Sequence, residues 1–132
     1  MQHAIIAILA AGVAGWIWGA IWYGVLGKPY QRALGLNPDD CKGKKMPIAP
    51  MVAAFAAALV MSAVLYQLLT NLGVMGVRDS MVTGLTVGVG FVLTTVLVNN
   101  MFQQKNPALT VIDGAHWVLA LMVEAAVISL LA

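Results

Sequence analysis

Apolar residues dominate four long stretches of the chain, and polar residues gather in the gaps between them. The first stretch, Ala4 to Leu26, is about 23 residues of uncharged sequence, against roughly 20 needed to cross about 30 Å of hydrocarbon as a helix. The gap from Lys28 to Lys45 holds Pro29, Gly35, Pro38 and Gly43, which punctuate it into a loop with one short surface helix over Tyr30–Leu36. Pro47 and Pro50 open the second stretch, where first-turn amides have no intrahelical partner to lose. A turn through Gly73, Gly76, Arg78 and Asp79 follows, and Ser80 is placed to cap a third helix. Asn106-Pro107, a cap followed by a first-turn proline, starts the fourth. The pattern therefore predicts one all-α membrane domain over residues 1–132, a transmembrane four-helix bundle with helices at about 4–26, 48–69, 81–101 and 107–131. No internal repeat relates the two helical pairs.

Composition removes the soluble alternative. Of 132 residues, 61% are hydrophobic and 9% charged, and the mean hydropathy is +0.90; soluble domains carry roughly a quarter charged residues. So few charges cannot cover the surface of a chain this small. A secretory signal peptide is disfavoured for the first stretch, because Met1-Gln2-His3 has no Lys or Arg and the apolar run exceeds an h-region of roughly 7–15 residues. The net charge is only +2 and no polybasic run occurs, which argues against a nucleic-acid partner. Cys41 is the single cysteine, so an internal disulfide is excluded.

Placement of the basic residues sets an expected orientation. Lys28, Arg32, Lys42, Lys44 and Lys45 lie in the first loop and Lys105 in the third, whereas the second has Arg78 alone. Positively charged loops stay on the cytoplasmic side, so loop 27–47 is expected in the cytoplasm and both termini outside it. Trp22-Tyr23, near the cytoplasmic end of the first helix, fits an interfacial aromatic belt.

Candidate chemistry lies inside the spans. Small residues at four-residue spacing, Gly15 and Gly19, Ala53 and Ala57, Gly84 and Gly88, let helix backbones approach closely; they serve intrachain packing as readily as self-association. Asp113, His116, Trp117, Ala120 and Glu124 fall within a stripe roughly 100° wide on the fourth helix. An acid at the centre of a span costs about 2.5–3.5 kcal/mol, so the stripe is expected to face other helices or a wet cavity. Depths counted outward from the third loop place Thr95 level with Asp113, Gly88 with Ala120 and Gly84 with Glu124. The third helix has a stripe of Gly84, Gly88, Phe91, Thr95 and Asn99, and these two stripes are expected to pack together, with Thr95 and Asn99 satisfying polar groups near Asp113. Two blander readings stand beside this one. Asp113, less than two turns from the helix start, is also placed to reach the headgroups, and His116 is also placed to be a satisfied packing histidine. Glu124 is the candidate buried acid, able as a neutral group to donate a hydrogen bond or carry a proton.

No metal-ligand set, phosphate loop or nucleophile beside His and a carboxylate is present, so no catalytic residue, metal or cofactor is assigned, and an enzyme is unsupported. His3 and His116 belong to opposite ends of the bundle, too far apart to share a ligand within one chain.

The run Gly19-Ala20-Ile21-Trp22-Tyr23-Gly24, then Gly27-Lys28 and Arg32-Ala33-Leu34-Gly35-Leu36, resembles a bacterial family of small membrane proteins catalogued as domain of unknown function 1761. The likeness continues through Gly90-Phe91, Thr94-Thr95, Asn99-Asn100 and Phe102 to Asp113-Gly114-Ala115-His116, and covers nearly the whole chain. Tyr30 stands where that family commonly has a tryptophan. The resemblance implies four helices in a bacterial inner (cytoplasmic) membrane and no established activity. It singles out Trp22, Tyr23, Thr95, Asn99 and His116, which with Asp113 make a candidate polar pocket toward the cytoplasmic side. The expected function is that of an assembling membrane protein, a homo-oligomer or an accessory subunit of a larger complex. The alternative is a small proton-coupled transporter or channel using Glu124 and Asp113.

Overall fold

The computed structural model describes residues 2–41, 43, 47–74 and 76–132, and these fold as helices and turns. The loop lysines Lys42, Lys44 and Lys45, on which part of the expected orientation rests, lie outside the described residues. The helices are α1 (Gln2–Val25), the short α2 (Gly27–Ala33), α3 (Ile48–Leu72), α4 (Val77–Phe102) and α5 (Pro107–Leu131). All but α2 are long and apolar enough to cross a membrane.

Local chemistry explains where they start and stop. Gly35 and Gly73 take left-handed backbone angles, φ 83° and 68°, a region that glycine enters without a Cβ penalty. At Gly73 this lets Val74 N–H donate back to the Leu69 carbonyl at 3.0 Å, a closing bond that ends α3 three residues later than the expected Leu69. Similarly, Leu36 N–H donates to the Gln31 carbonyl at 2.9 Å, so the short helix stops at Ala33, before the expected Leu36. The side chain of Asn106 accepts from Ala108 N–H at 2.9 Å, and Pro107 occupies the first turn of α5. Helix α4 starts at Val77, four residues ahead of the expected Met81, after extended Gly76. Asp79 in its first turn complements the helix dipole there. Ser80, expected as the cap, is instead a buried residue inside the helix.

Between Gly88 and Leu93, α4 relaxes into a six-residue π segment. A π turn takes in one more residue than an α turn, so every position beyond it is rotated by about 100° relative to an uninterrupted α-helix. The buried line on α4 thus runs through Ser80, Gly84 and Gly88 and resumes at Asn100, one residue past the Asn99 expected from α-helical spacing.

Helix α5 is the hub. It packs against α1, α3 and α4, α1 also packs against α3, and α4 touches α3 only slightly. Within its most apolar window α5 is 44% buried, against 11% for α4, so α4 is held to the molecule almost wholly by α5. An apolar core of Ala11, Leu65, Leu69, Leu121, Ala125 and Ile128 joins α1, α3 and α5 at one end. At the other end Ala33 of α2 packs with Leu109 and Ile112 under Trp22, Tyr23 and Tyr30.

Candidate functional site

The polar residues of α5 face α1. Nearest the α2 end, the Tyr23 hydroxyl donates to Oδ1 of Asp113 at 2.5 Å. The Trp22 indole donates to the Ile112 carbonyl at 3.0 Å, and four residues earlier Trp18 donates to the His116 carbonyl at 3.3 Å. Two indoles one turn apart on α1 thus grip two carbonyls one turn apart on α5 and fix the register of the pair. Further along, a Cβ added to Gly19 would lie 2.9 Å from Nε2 of His116, and one added to Gly15 would lie 2.5 Å from Oε1 of Glu124. At both positions an added Cβ would meet a side chain, the His116 ring or the Glu124 carboxyl, which would have to shift to admit it.

His116 sits among aromatic rings, 4.9 Å between centroids from Tyr23 and 4.5 Å from Trp117. Tyr23 in turn stacks edge-on against Tyr30 at 5.0 Å. Burial, and after it the Asp113 carboxylate, pushes the Tyr30 phenol above its ordinary 10.0, so this ring keeps its proton through the physiological range. His116 is 6% exposed and Glu124 1%. Among the described residues three buried side-chain atoms lack a hydrogen-bond partner: Ser80 Oγ, His116 Nδ1 and Glu124 Oε2. Two of the three belong to this seam. An unpaired buried polar atom costs about 1–3 kcal/mol, which makes the seam the candidate site.

The expected pocket is divided. Trp22, Tyr23, Asp113 and His116 come together; Thr95 and Asn99 do not, and line a separate shallow groove with Thr94 and Val98 on the outer side of α4. The Thr95 hydroxyl donates to the Phe91 carbonyl of its own helix. The π segment is the cause: it turns Asn99 outward and brings Asn100 inward, where its amide donates to Thr110 Oγ1 at 3.1 Å. The α4 and α5 stripes therefore do not meet as expected. Gly84 and Gly88 do lie against α5, but on its other face: a Cβ at Gly84 would lie 2.8 Å from the Leu121 carbonyl oxygen, and one at Gly88 3.0 Å from Val118 Cα. Ala53 is exposed and Ala57 half-buried; the close approach on α3 is made by Leu59 and Ser62 against Gly12 of α1 instead, the Ser62 hydroxyl donating to the Ile8 carbonyl at 2.8 Å. Asn100 and Tyr30 were missed by sequence reasoning. For Asn100 the signals were its adjacency to Asn99 and the sequence Gly88-Val89-Gly90 ahead of it; for Tyr30 the signal was an aromatic residue about two helical turns beyond Tyr23.

Among the described residues no three His, Cys, Asp or Glu side chains gather as a metal set. The seam offers instead a carboxylate held by a phenol, a histidine among rings, and a deeper carboxyl closed off by α1 backbone. Such groups can hold or pass protons. The class is that of a small multi-pass α-helical membrane protein with a polar seam closed inside it. A family model described as "Protein of unknown function (DUF1761)" matches residues 6–129, and the chain belongs to that family. No curated protein and no solved structure matches it.

Proposed function

We propose that the chain is a bacterial inner-membrane protein, with loop 27–47 cytoplasmic and both termini outside, that works by assembling. Its partner is a further copy of itself or a larger membrane complex in which it is an accessory subunit. One observation carries this reading: α4 is covered on a single side, and its open side presents Thr94, Thr95 and Asn99, all exposed. Thr94 quenches its hydroxyl on the Gly90 carbonyl at 2.9 Å, and Thr95 quenches its own on Phe91. The exposed Asn99 amide makes no such bond among the described residues, and an amide facing lipid is favoured by a neighbouring helix that can bond it. Native mass spectrometry from gentle detergent tests the reading. A defined oligomer or a stable complex with other subunits, weakened by Asn99→Leu, is expected; a monomer alone, in wild type and variant equally, overturns it.

A second reading, a small proton-coupled carrier using Glu124 and Asp113, is favoured by the buried, unpartnered Glu124 Oε2. Proton uptake into proteoliposomes that disappears with Glu124→Gln supports it, and uptake indifferent to that substitution removes it.

A further inference from the structure

Glu124 is the most deeply buried ionisable side chain of the seam, 1% exposed, with Oε2 lacking any partner among the described residues. Among the described residues no neighbouring element supplies a cation to it. On α5 the nearest titratable groups are His116, about 12 Å away along the helix axis, and Asp113 beyond it. Helix α1 presents Gly15 and Ala11 at this depth, with Tyr23 two turns further down. On α3 Tyr66 packs against the core that holds Ala11 and Ala125, Ser62 of α3 and Ser80 of α4 are fully buried, and Arg78 and Asp79 lie at the exposed start of α4. An unpaired carboxylate in such surroundings costs several kcal/mol; a neutral carboxyl does not.

The α1–α5 contact is also uneven along its length. Near Asp113 it is locked by the Trp18, Trp22 and Tyr23 hydrogen bonds. Beside Glu124 it consists of Gly15 and the alanines Ala11 and Ala7, with no interhelical hydrogen bond to α5 from these small residues. Between α1 and α5 the seam beside Glu124 is therefore held by close packing alone, while the Ser62 hydroxyl ties α1 to α3 through the Ile8 carbonyl at 2.8 Å.

We propose that Glu124 is a proton-exchanging carboxyl of the membrane interior, reached by water when α1 lifts from α5 at Gly15. In the exchange a water molecule entering the parted seam takes the carboxyl proton as hydronium and leaves the carboxylate; the reverse transfer restores the acid before the seam closes. The inference rests on the acid named in the second reading but requires no net transport.

Infrared spectroscopy of the full chain in liposomes tests it. A protonated-carboxyl band that vanishes in Glu124→Gln is expected at neutral pH, and it should shift on transfer to D2O. A methyl at Gly15 displaces the carboxyl, so Gly15→Ala should speed that shift severalfold; Gly24→Ala, with nothing within 4 Å of the added Cβ, should leave it unchanged. Should Gly15→Ala fail to fold, labelling of the wild type decides: a lipid-soluble carbodiimide adds across a protonated carboxyl to leave an acylurea, which peptide mass mapping should locate on Glu124. Absence of the carboxyl band, or a band that never shifts in D2O together with an unlabelled Glu124, overturns the proposal. Exchange and labelling in a protein that shows no proton uptake support the site while removing the carrier.

Discussion

Tyr23, Gly19 and Gly15 occupy one face of α1 at intervals of four residues, and against them stand Asp113, His116 and Glu124. Each pairing is selective in its own way. The phenol–carboxylate bond at 2.5 Å is worth about 0.5–2 kcal/mol in a membrane-buried setting, and Tyr23→Phe should lower stability by that amount. A double-mutant cycle with Asp113→Asn, read from thermal unfolding in detergent, should return most of it as coupling; additive losses would show the two side chains to be energetically independent. At Gly19 an added Cβ meets the His116 ring at 2.9 Å, and overpacking of this kind costs about 1–3 kcal/mol. Gly19→Ala should therefore unfold at lower temperature, whereas Gly24→Ala, whose Cβ enters open space, should stay within about 0.5 kcal/mol of wild type. Equal behaviour of the two variants would mean that α1 does not approach α5 through its glycines.

At the scale of elements, the four apolar helices were legible because length and lack of charge over about 20 residues leave few alternatives to a span. Asn106-Pro107 marked the start of α5 because a cap side chain followed by proline satisfies the first-turn amides in one way. The polar stripe on α5 was legible too, since its 3.6-residue period belongs to a single helix. Its partner was legible only in part: Trp22 and Tyr23 of α1 were expected beside Asp113 and His116, whereas the rest of the stripe was expected to meet α4. Periodicity assigns a residue to a face of its own helix and says nothing of which helix covers that face, and proximity in sequence favoured α4 over α1. The π segment added a second obstacle: residues beyond Leu93 obey a phase that α-helical counting misses, so Asn100 took the place of Asn99. The consequence is measurable on α4. Gly84 meets the Leu121 carbonyl, a backbone atom that cannot retreat, so Gly84→Leu should break the α4–α5 hairpin and reduce folded yield sharply. Gly90 has nothing within 4 Å, so Gly90→Leu should fold normally. Thermal unfolding and detergent-resistant yield of the two variants side by side check this, and a tolerant Gly84→Leu would contradict the helix pairing.

For the whole molecule, three spans form a mutually packed core and the fourth is appended to its hub, an arrangement with a distinct charge at either end. Lys28 and Arg32 on α2 and Lys105 before α5 share the end where the aromatic belt of Trp22, Tyr23 and Tyr30 lies. The opposite end has Arg78 as the single basic residue of its loop. Under the proposed orientation, with the basic loops retained in the cytoplasm, the Asp113–Tyr23 lock lies near the cytoplasmic surface and Glu124 in the outer half of the membrane. Cys41 reports this orientation without an introduced label site, being the single cysteine, half-buried, and part of the loop between α2 and α3. A membrane-impermeant maleimide should label it in inside-out vesicles and leave it unlabelled in intact spheroplasts, with Cys41→Ser blank in both. Labelling from outside would reverse the bundle and place Glu124 on the cytoplasmic side of the bilayer midplane. Proton exchange at Glu124 would then draw on cytoplasmic water, so the same labelling decides which compartment the acid communicates with.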